Sequence, residues 1–332
     1  MAELASSFET ALSNINPSSE DWDNAPEAHQ AIADLLGADD TLKQWGINPI
    51  LIGSYGRQVS IRRVYDVDMF CRLDDYPGNV SADEVLDRVY QVLVDEYDEE
   101  SVTREDRSVT VLIPDADGLY VDVVPARKSG TVWEIPTEDD EWISTNPVKM
   151  TELKTKKNED FDEKYVPCVK LLRQARRHLL GKTKPGGFAV EMALYTACEE
   201  GLVTKTNSLA ELFASALEGV ANVFRRMVDD DFAMPDPSMA GEVLTFDDEA
   251  DFALLADKFE AAAADARKAF DMDEDKAGKA ARLIQGILGS NDDFTNVFPM
   301  PSGYDKDGNK RSSSNTRTSG DRNPTPGSLR FG

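Results

Sequence analysis

The strand-forming stretches of this sequence are confined to its first 145 residues or so, and the remainder is helical in pattern. A chain that separates its strands from its helices in this way is directed to an α+β architecture, not to alternating βαβ units. Short β-branched or apolar runs occur at "INPILIGS", "DVDMFCRL", "SVTVLIP", "LYVDVVPA" and "TVWEIP", punctuated by Gly, Pro and Asp. Helical spacing marks residues 3–14, 26–45 and 81–97 in this half. The third of these opens with Ser81 and Glu84, a capping box. "NPSSEDWDNAP" reads as a connection between the first two. Beyond residue 145, helical patterns cover 165–180, 186–200, 208–228, 248–270 and 274–288, separated by Pro and Gly breaks. From Pro299 the chain is rich in Ser, Gly, Asn and Thr, with six Lys/Arg against three Asp, the composition of a disordered tail. The expected organisation is a sheet domain with N-terminal helices over 1–148, a helical domain over 149–298 and a basic tail over 299–332.

Two carboxylates sit where a core strand begins. In "DVDMF", Asp66 and Asp68 are separated by one apolar residue, and in a strand positions i and i+2 share a face. Asp122 occupies a similar setting in "YVDVV". Three carboxylates converging on a sheet face repel one another, and divalent cations between them remove the conflict. Two Mg²⁺ ions held by carboxylates serve in-line displacement at phosphorus, and Mg²⁺ takes oxygen ligands together with substrate phosphates. Read singly, each Asp is equally at home at a strand end, capping a turn or facing water. The upstream context adds weight to the metal reading. Gly53-Ser54 follows a strand directly, and a glycine there lets backbone approach a phosphate while the serine adds a hydroxyl. Arg57, Arg62 and Arg63 bring positive charge that is scarce elsewhere.

Charge narrows the substrate. A net charge of −26 repels nucleic acid and anionic membranes, so no nucleic-acid template and no membrane partner are expected. A local cluster of cations still accommodates nucleotides. No apolar run is long enough to span a bilayer, and the N-terminus lacks the basic and apolar regions of a secretory signal. Three cysteines in apolar contexts read as buried thiols of a reducing, cytoplasmic compartment. With only His29 and His178 present, no zinc spacing arises.

"GSYGRQVSIRRVYDVDMF" followed by "LYVDVVPA" resembles the DNA polymerase β nucleotidyltransferase superfamily. Within it the chain is similar to the cGAS/DncV-like nucleotidyltransferases, relatives of oligoadenylate synthetase and cyclic GMP–AMP synthase. "YVPCVKLLRQARRHLLGKTKPGGFAVEMALYTACEEG" looks like the helix, loop and helix that complete the triphosphate site in that family. The resemblance implies a two-lobed fold, with a mixed-sheet palm and flanking helices joined to a C-terminal helical bundle. It makes Asp66, Asp68 and Asp122 the metal ligands and catalytic carboxylates, for two Mg²⁺ or Mn²⁺. It assigns Gly53 and Ser54 to the donor phosphates. Arg173 stands where animal relatives carry a phosphate-binding Lys, and Lys170, one turn earlier on the same helix face, shares that assignment. Phe188 matches a base-stacking aromatic, and Gly187 replaces a hydroxyl residue that some relatives carry just before it. Trp133 and Trp142 are expected between the lobes, with the cleft as an alternative place for Trp142.

The implied activity is synthesis of a cyclic di- or trinucleotide from ATP or other ribonucleoside triphosphates, with release of pyrophosphate, in antiphage (CBASS) signalling. The alternative is nucleotide transfer to an RNA or small-molecule acceptor. An activating protein partner is implied as well. The last residue, Gly332, is an unhindered glycine on a flexible arm, which suits adenylation by a ubiquitin-activating type of enzyme. Many relatives are encoded beside such E1/E2-like enzymes, so Gly332 is expected as a conjugation point.

Overall fold

The computed structural model describes residues 2–62, 66–114, 116, 118–137 and 139–311. Its sheet half contains helices α1 (Ala2–Ile15), α2 (Ser19–Ala38), α3 (Asp40–Gln44), α4 (Gly53–Gly56) and α5 (Ala82–Tyr97). Strands β1 (Ile47–Leu51), β2 (Asp66–Leu73), β3 (Val102–Arg104), β4 (Val109–Leu112), β5 (Tyr120–Ser129), β6 (Val132–Pro136) and β7 (Trp142–Thr145) accompany them. The second half is helical: α6 (Pro147–Asp160), α7 (Tyr165–Leu180), α8 (Gly187–Glu199), α9 (Leu209–Asp229), α10 (Phe252–Phe270) and α11 (Ala277–Leu288). This is the two-lobed α+β arrangement that the sequence pattern and the resemblance imply.

The strands run in the order β1-β2-β5-β4-β3, with β6 and β7 continuing from the far end of β5. β2 and β5 pair in parallel, and the other pairs among the described residues are antiparallel. Strand alternation divides the sheet into two faces. Val67, Met69 and Cys71 of β2 and Val121 and Val123 of β5 point to one side and are fully buried. There they meet Ile32 and Leu36 of α2 and Leu86, Val89 and Leu93 of α5. Asp66, Asp68 and Asp122 therefore fall on the side those helices leave open.

Three boundaries differ from expectation. α2 begins at Ser19 and runs through Pro26, where a break was expected. Proline removes one helical hydrogen bond, and burial of Ala25, Ala28, Ile32 and Leu36 along the same helix outweighs that loss. α1, assigned by composition to the sheet domain, packs into the helical half. Its Phe8 meets Phe213 and Phe298 edge-on, at 5.7 and 5.0 Å between ring centres. The segment from Pro299 to Arg311, expected as the start of the disordered tail, is folded against α11. Tyr304 is buried on Gly278, and its hydroxyl donates to the carbonyls of Glu274 and Asp275. One aromatic anchor and the turn closed by Asp305 suffice, although the local composition is polar. The remainder of the tail, including Gly332, lies outside the described residues.

Candidate active site

The register of the parallel β2–β5 pair sets the carboxylates. Asp68 of β2 is the direct partner of Asp122 on β5, and Asp66 lies opposite Tyr120 two positions earlier. The strand ends thus bring a residue near position 66 against one more than fifty positions later. Asp122 accepts a hydrogen bond from the Thr110 hydroxyl on β4. Asp68 is the strained member of the group. Burial first, then the charges of Asp66 and Asp122, push its carboxyl up to about 6, while Arg57 and Arg173 act in the opposite direction. A carboxylate under that load gains from an added cation.

The turn before β2 closes over this group. Gly53 has φ +64°, and a Cβ there would lie 1.6 Å from an Asp68 carboxylate oxygen. Only glycine permits both the left-handed conformation and the approach. α4 is a single short turn, and the chain from Arg57 to Arg62 is not helix. The Ser54 and Ser60 hydroxyls share a hydrogen bond of 2.9 Å, which orients Ser54 without consuming both of its hydrogen-bonding roles.

Above the turn lies a recess lined by Ser54, Ser60, Asp66, Arg173, Arg176 and Arg177, with Ile61 and Gly187 completing the wall. Arg173 is the assigned phosphate ligand on α7. Lys170, which shares that assignment, is placed elsewhere: its ammonium donates to the Asn16 side chain at 2.9 Å. The two residues leave α7 toward different partners. Arg176 holds the 181–185 loop through the carbonyls of Gly181, Thr183 and Pro185. Arg177 bonds Asp292 at 3.0 Å and the Arg62 carbonyl at 3.0 Å. Arg62 pairs with Asp293, so its charge is engaged away from the recess, and Arg63 lies outside the described residues.

Gly187 and Arg173 fit as a pair. A Cβ at Gly187 would lie 2.9 Å from the guanidinium carbon of Arg173. The missing side chain makes room for the wide, planar arginine head. The next residue, Phe188, is 36% exposed and faces a second, larger cleft with Arg57, Arg107, Met150, Asp236, Ser238 and Glu242 on its walls. The Arg57 guanidinium carbon lies 5.6 Å from the Phe188 ring centre. Trp142 instead meets Tyr76 edge-on with Arg127 over its ring, and Trp133 meets Phe70 and Arg72.

Reading the sequence overlooked Glu191, Ser60, Arg176 and Arg177. Glu191 is 1% exposed and takes both Arg57 donors, Nε and Nη2, at 2.9 and 3.0 Å. The signal for it was a lone carboxylate inside the apolar run "FAVEMALY", because a buried charge in such a run demands a partner.

The donor set suits a hard divalent cation, since it consists of carboxylate oxygens alone on one sheet face. Among the described residues, no group of three or more His, Cys, Asp or Glu side chains is placed to hold a metal ion. The fit therefore rests on donor type, shared face and the excess charge at Asp68. Chemically, the arrangement joins a carboxylate cluster to an arginine-lined anion recess through Asp66, which lines both, with an aromatic face alongside.

Comparison with known proteins shows what the chain and its fold are similar to. Residues 2–158 match the model of the Second Messenger Oligonucleotide or Dinucleotide Synthetase domain. Over 303 residues the chain is 29% identical to a cyclic AMP-AMP-AMP synthase of Acinetobacter sp. (strain ATCC 27244 / 9458), covering 85% of this chain and 83% of that protein. Bradyrhizobium diazoefficiens CdnG, solved in complex with GTP, superposes with a TM-score of 0.66 at 13% identity, over 86% of this chain and 95% of the other. E. coli MS115-1 CdnC, solved with ATP, gives 0.63 at 16% identity, over 89% and 98%. Residues 2–158 thus match the synthetase domain, and over its length the chain resembles the cGAS/DncV-like nucleotidyltransferases in fold.

Proposed function

We propose that this protein joins ribonucleoside triphosphates into a cyclic di- or trinucleotide and releases pyrophosphate. The observation that carries the reading is the recess in which Asp66, Ser54 and Arg173 meet, beside the Asp68–Asp122 pair. Asp66, Asp68 and Asp122 would hold two Mg²⁺ ions, or Mn²⁺ in their place. When bound, such ions neutralise the attacking and departing oxygens of an in-line displacement at phosphorus.

The residues of the chain divide the remaining work. Ser54, oriented by Ser60, donates to a phosphate oxygen. Arg173 spreads positive charge over the triphosphate through its planar fork. Phe188 offers its open face to a base. Asp122, held by Thr110, orients the ribose hydroxyl that attacks. Most of the acceleration comes from this positioning and charge stabilisation. A ring requires the linear intermediate to turn over in the cleft so that its own hydroxyl reaches the same site. The name of the Acinetobacter relative makes ATP the first substrate to test and cyclic triadenylate the first product to seek.

The biological setting belongs to the same proposal. The product acts as an antiphage (CBASS) second messenger in the cytoplasm. Among the described residues no helix is long and apolar enough to cross a membrane. A protein activator is expected; E. coli MS115-1 CdnC is itself known in complex with HORMA. Gly332 is proposed as the point at which an E1/E2-like enzyme joins the chain to a target amine. Gly332→Glu should then leave basal catalysis unchanged and remove higher-mass conjugates on co-expression with the neighbouring genes. Conjugates that persist would end that part of the proposal.

The decisive experiment for the activity is incubation with the four ribonucleoside triphosphates and Mg²⁺ or Mn²⁺, with mass spectrometry of phosphatase-resistant products. Cyclic oligonucleotides support the reading. Label transferred only to an added acceptor would replace it with acceptor-directed nucleotidyl transfer.

A further inference from the structure

We infer that Glu191 is a positioning residue that sets two nucleotide-facing groups at once, the Phe188 ring through Arg57 and the Arg173 guanidinium directly. The inference rests on the proposed nucleotide site and adds the residue that organises it.

The geometry is that of one carboxylate shared among cations from three elements. Glu191 lies on α8, one turn beyond Gly187 and Phe188, so the three residues share a helix face. Its two oxygens take the two arms of Arg57 in parallel, the strongest and most directional form of ion pair. Arg57 caps the short turn that begins at Gly53, and both partners are buried. The pair therefore pins the phosphate turn of the sheet half to α8 of the helical half. Held there, the Arg57 head lies over the Phe188 ring, and both side chains line the larger cleft.

Arg173 is treated differently by the same carboxylate. Its Nη1 stands 3.9 Å from Glu191 Oε2, near enough for attraction and too far for a hydrogen bond. Its Nε is buried and has no hydrogen-bond partner among the described residues. An unpaired buried donor is costly, and a phosphate oxygen arriving in the recess would satisfy it. Lys154 of α6, also buried, is a third cation nearby; burial lowers the pKa of its ammonium, and Glu191 acts in the opposite direction. One carboxylate among three cations leaves a surplus of positive charge beside Asp66 and Asp68. Glu191 thus anchors one arginine fully and holds the next only partly committed.

A buried ion pair is a weak source of stability, and well-packed apolar residues often replace it without loss. That makes orientation separable from folding. In the full-length protein, Glu191→Gln should raise the apparent KM for ATP by about tenfold or more with a smaller change in kcat, and Glu191→Asp should restore part of the loss. The double variant Arg57→Met with Glu191→Leu should melt close to the wild type yet bind a non-hydrolysable ATP analogue with Mg²⁺ at least tenfold more weakly. In an Arg173→Ala background the Glu191→Gln effect should shrink, because one of its two routes is gone. Wild-type affinity in a stably folded double variant, or an undiminished Glu191→Gln effect in that background, overturns the inference alone. A wild-type protein that binds none of the four triphosphates overturns the site reading, and the inference with it.

Discussion

Asp68 and Asp122 stand directly opposite each other across the parallel β2–β5 pair. Like charges in that position oppose folding, so the pair persists for chemistry. Asp68→Asn and Asp122→Asn are each expected to lower product formation by ~10²-fold or more, the scale of losing one preorganised charge-stabilising group. Melting temperature should hold or rise. Initial rates together with thermal melts check this, and near wild-type turnover in either variant would remove the carboxylates from the mechanism.

The same repulsion predicts a pH dependence for the metal-free protein. Asp68 titrates at about 6 when folded, against an ordinary 3.8. Between these values the folded chain holds a proton that the unfolded chain has released, so this group's contribution to stability falls as pH rises from ~4 to ~6. In EDTA, Asp68→Asn should exceed the wild type in stability by ~1–3 kcal/mol at pH 7.5, from about 1.4 kcal/mol per pKa unit. The advantage should fade toward pH 4. Denaturant melts of both proteins across that range measure the difference, and a gap that widens on acidification would contradict it.

Arg173 and Gly187 should behave as a matched pair. Gly187→Ser crowds the guanidinium, so it is expected to raise the apparent KM for ATP about as much as Arg173→Lys does. Combining the two should cost less than the sum, because the narrower lysine head tolerates a neighbouring Cβ. A double-mutant cycle reads the coupling, expected at ~0.5–3 kcal/mol; strict additivity would separate the two residues.

Ser54 and Lys170 are predicted to part company. Ser54→Ala should weaken ATP binding by ~1.5–3 kcal/mol, the worth of a hydrogen bond to a charged group. Lys170→Ala should leave KM unchanged and cost at most ~1 kcal/mol of stability, since its partner is Asn16 on the loop after α1. Isothermal titration for the first and denaturant melts for the second suffice. A large KM effect from Lys170 would return it to the phosphate site.

What the sequence determined by itself was local. Alternation along "DVDMF" and "YVDVV" put the carboxylates on one face of each strand, because a strand's period of two admits no other outcome. The capping box at Ser81 and Glu84 predicted the start of α5, and both of its hydrogen bonds are present. The concentration of strands before residue 146 predicted the α+β class. Elements without a strong period escaped notice. β3 and β7 are three and four residues long, and α6, with its run of Lys, Thr and Glu, has little apolar stripe to read.

Tertiary structure decided everything that joins distant residues. Nothing local in "YVDVV" tells Asp122 to stop opposite Asp68; the crossover from β2 to β5 and the burial of Val67, Val121 and Val123 set that register. Arg57 and Glu191, 134 positions apart, become partners only when the two halves meet, because a buried charge takes whichever opposite charge the fold brings to it. Lys170 and Arg173 share a helix face in the sequence pattern, yet they reach Asn16 and the recess respectively. α1 joins the helical half because Phe8 finds its apolar surface there, beside Phe213 and Phe298. Periodicity is written into the chain three or four residues at a time, whereas the choice of partner is made by the solvent-excluded surface that the whole fold creates.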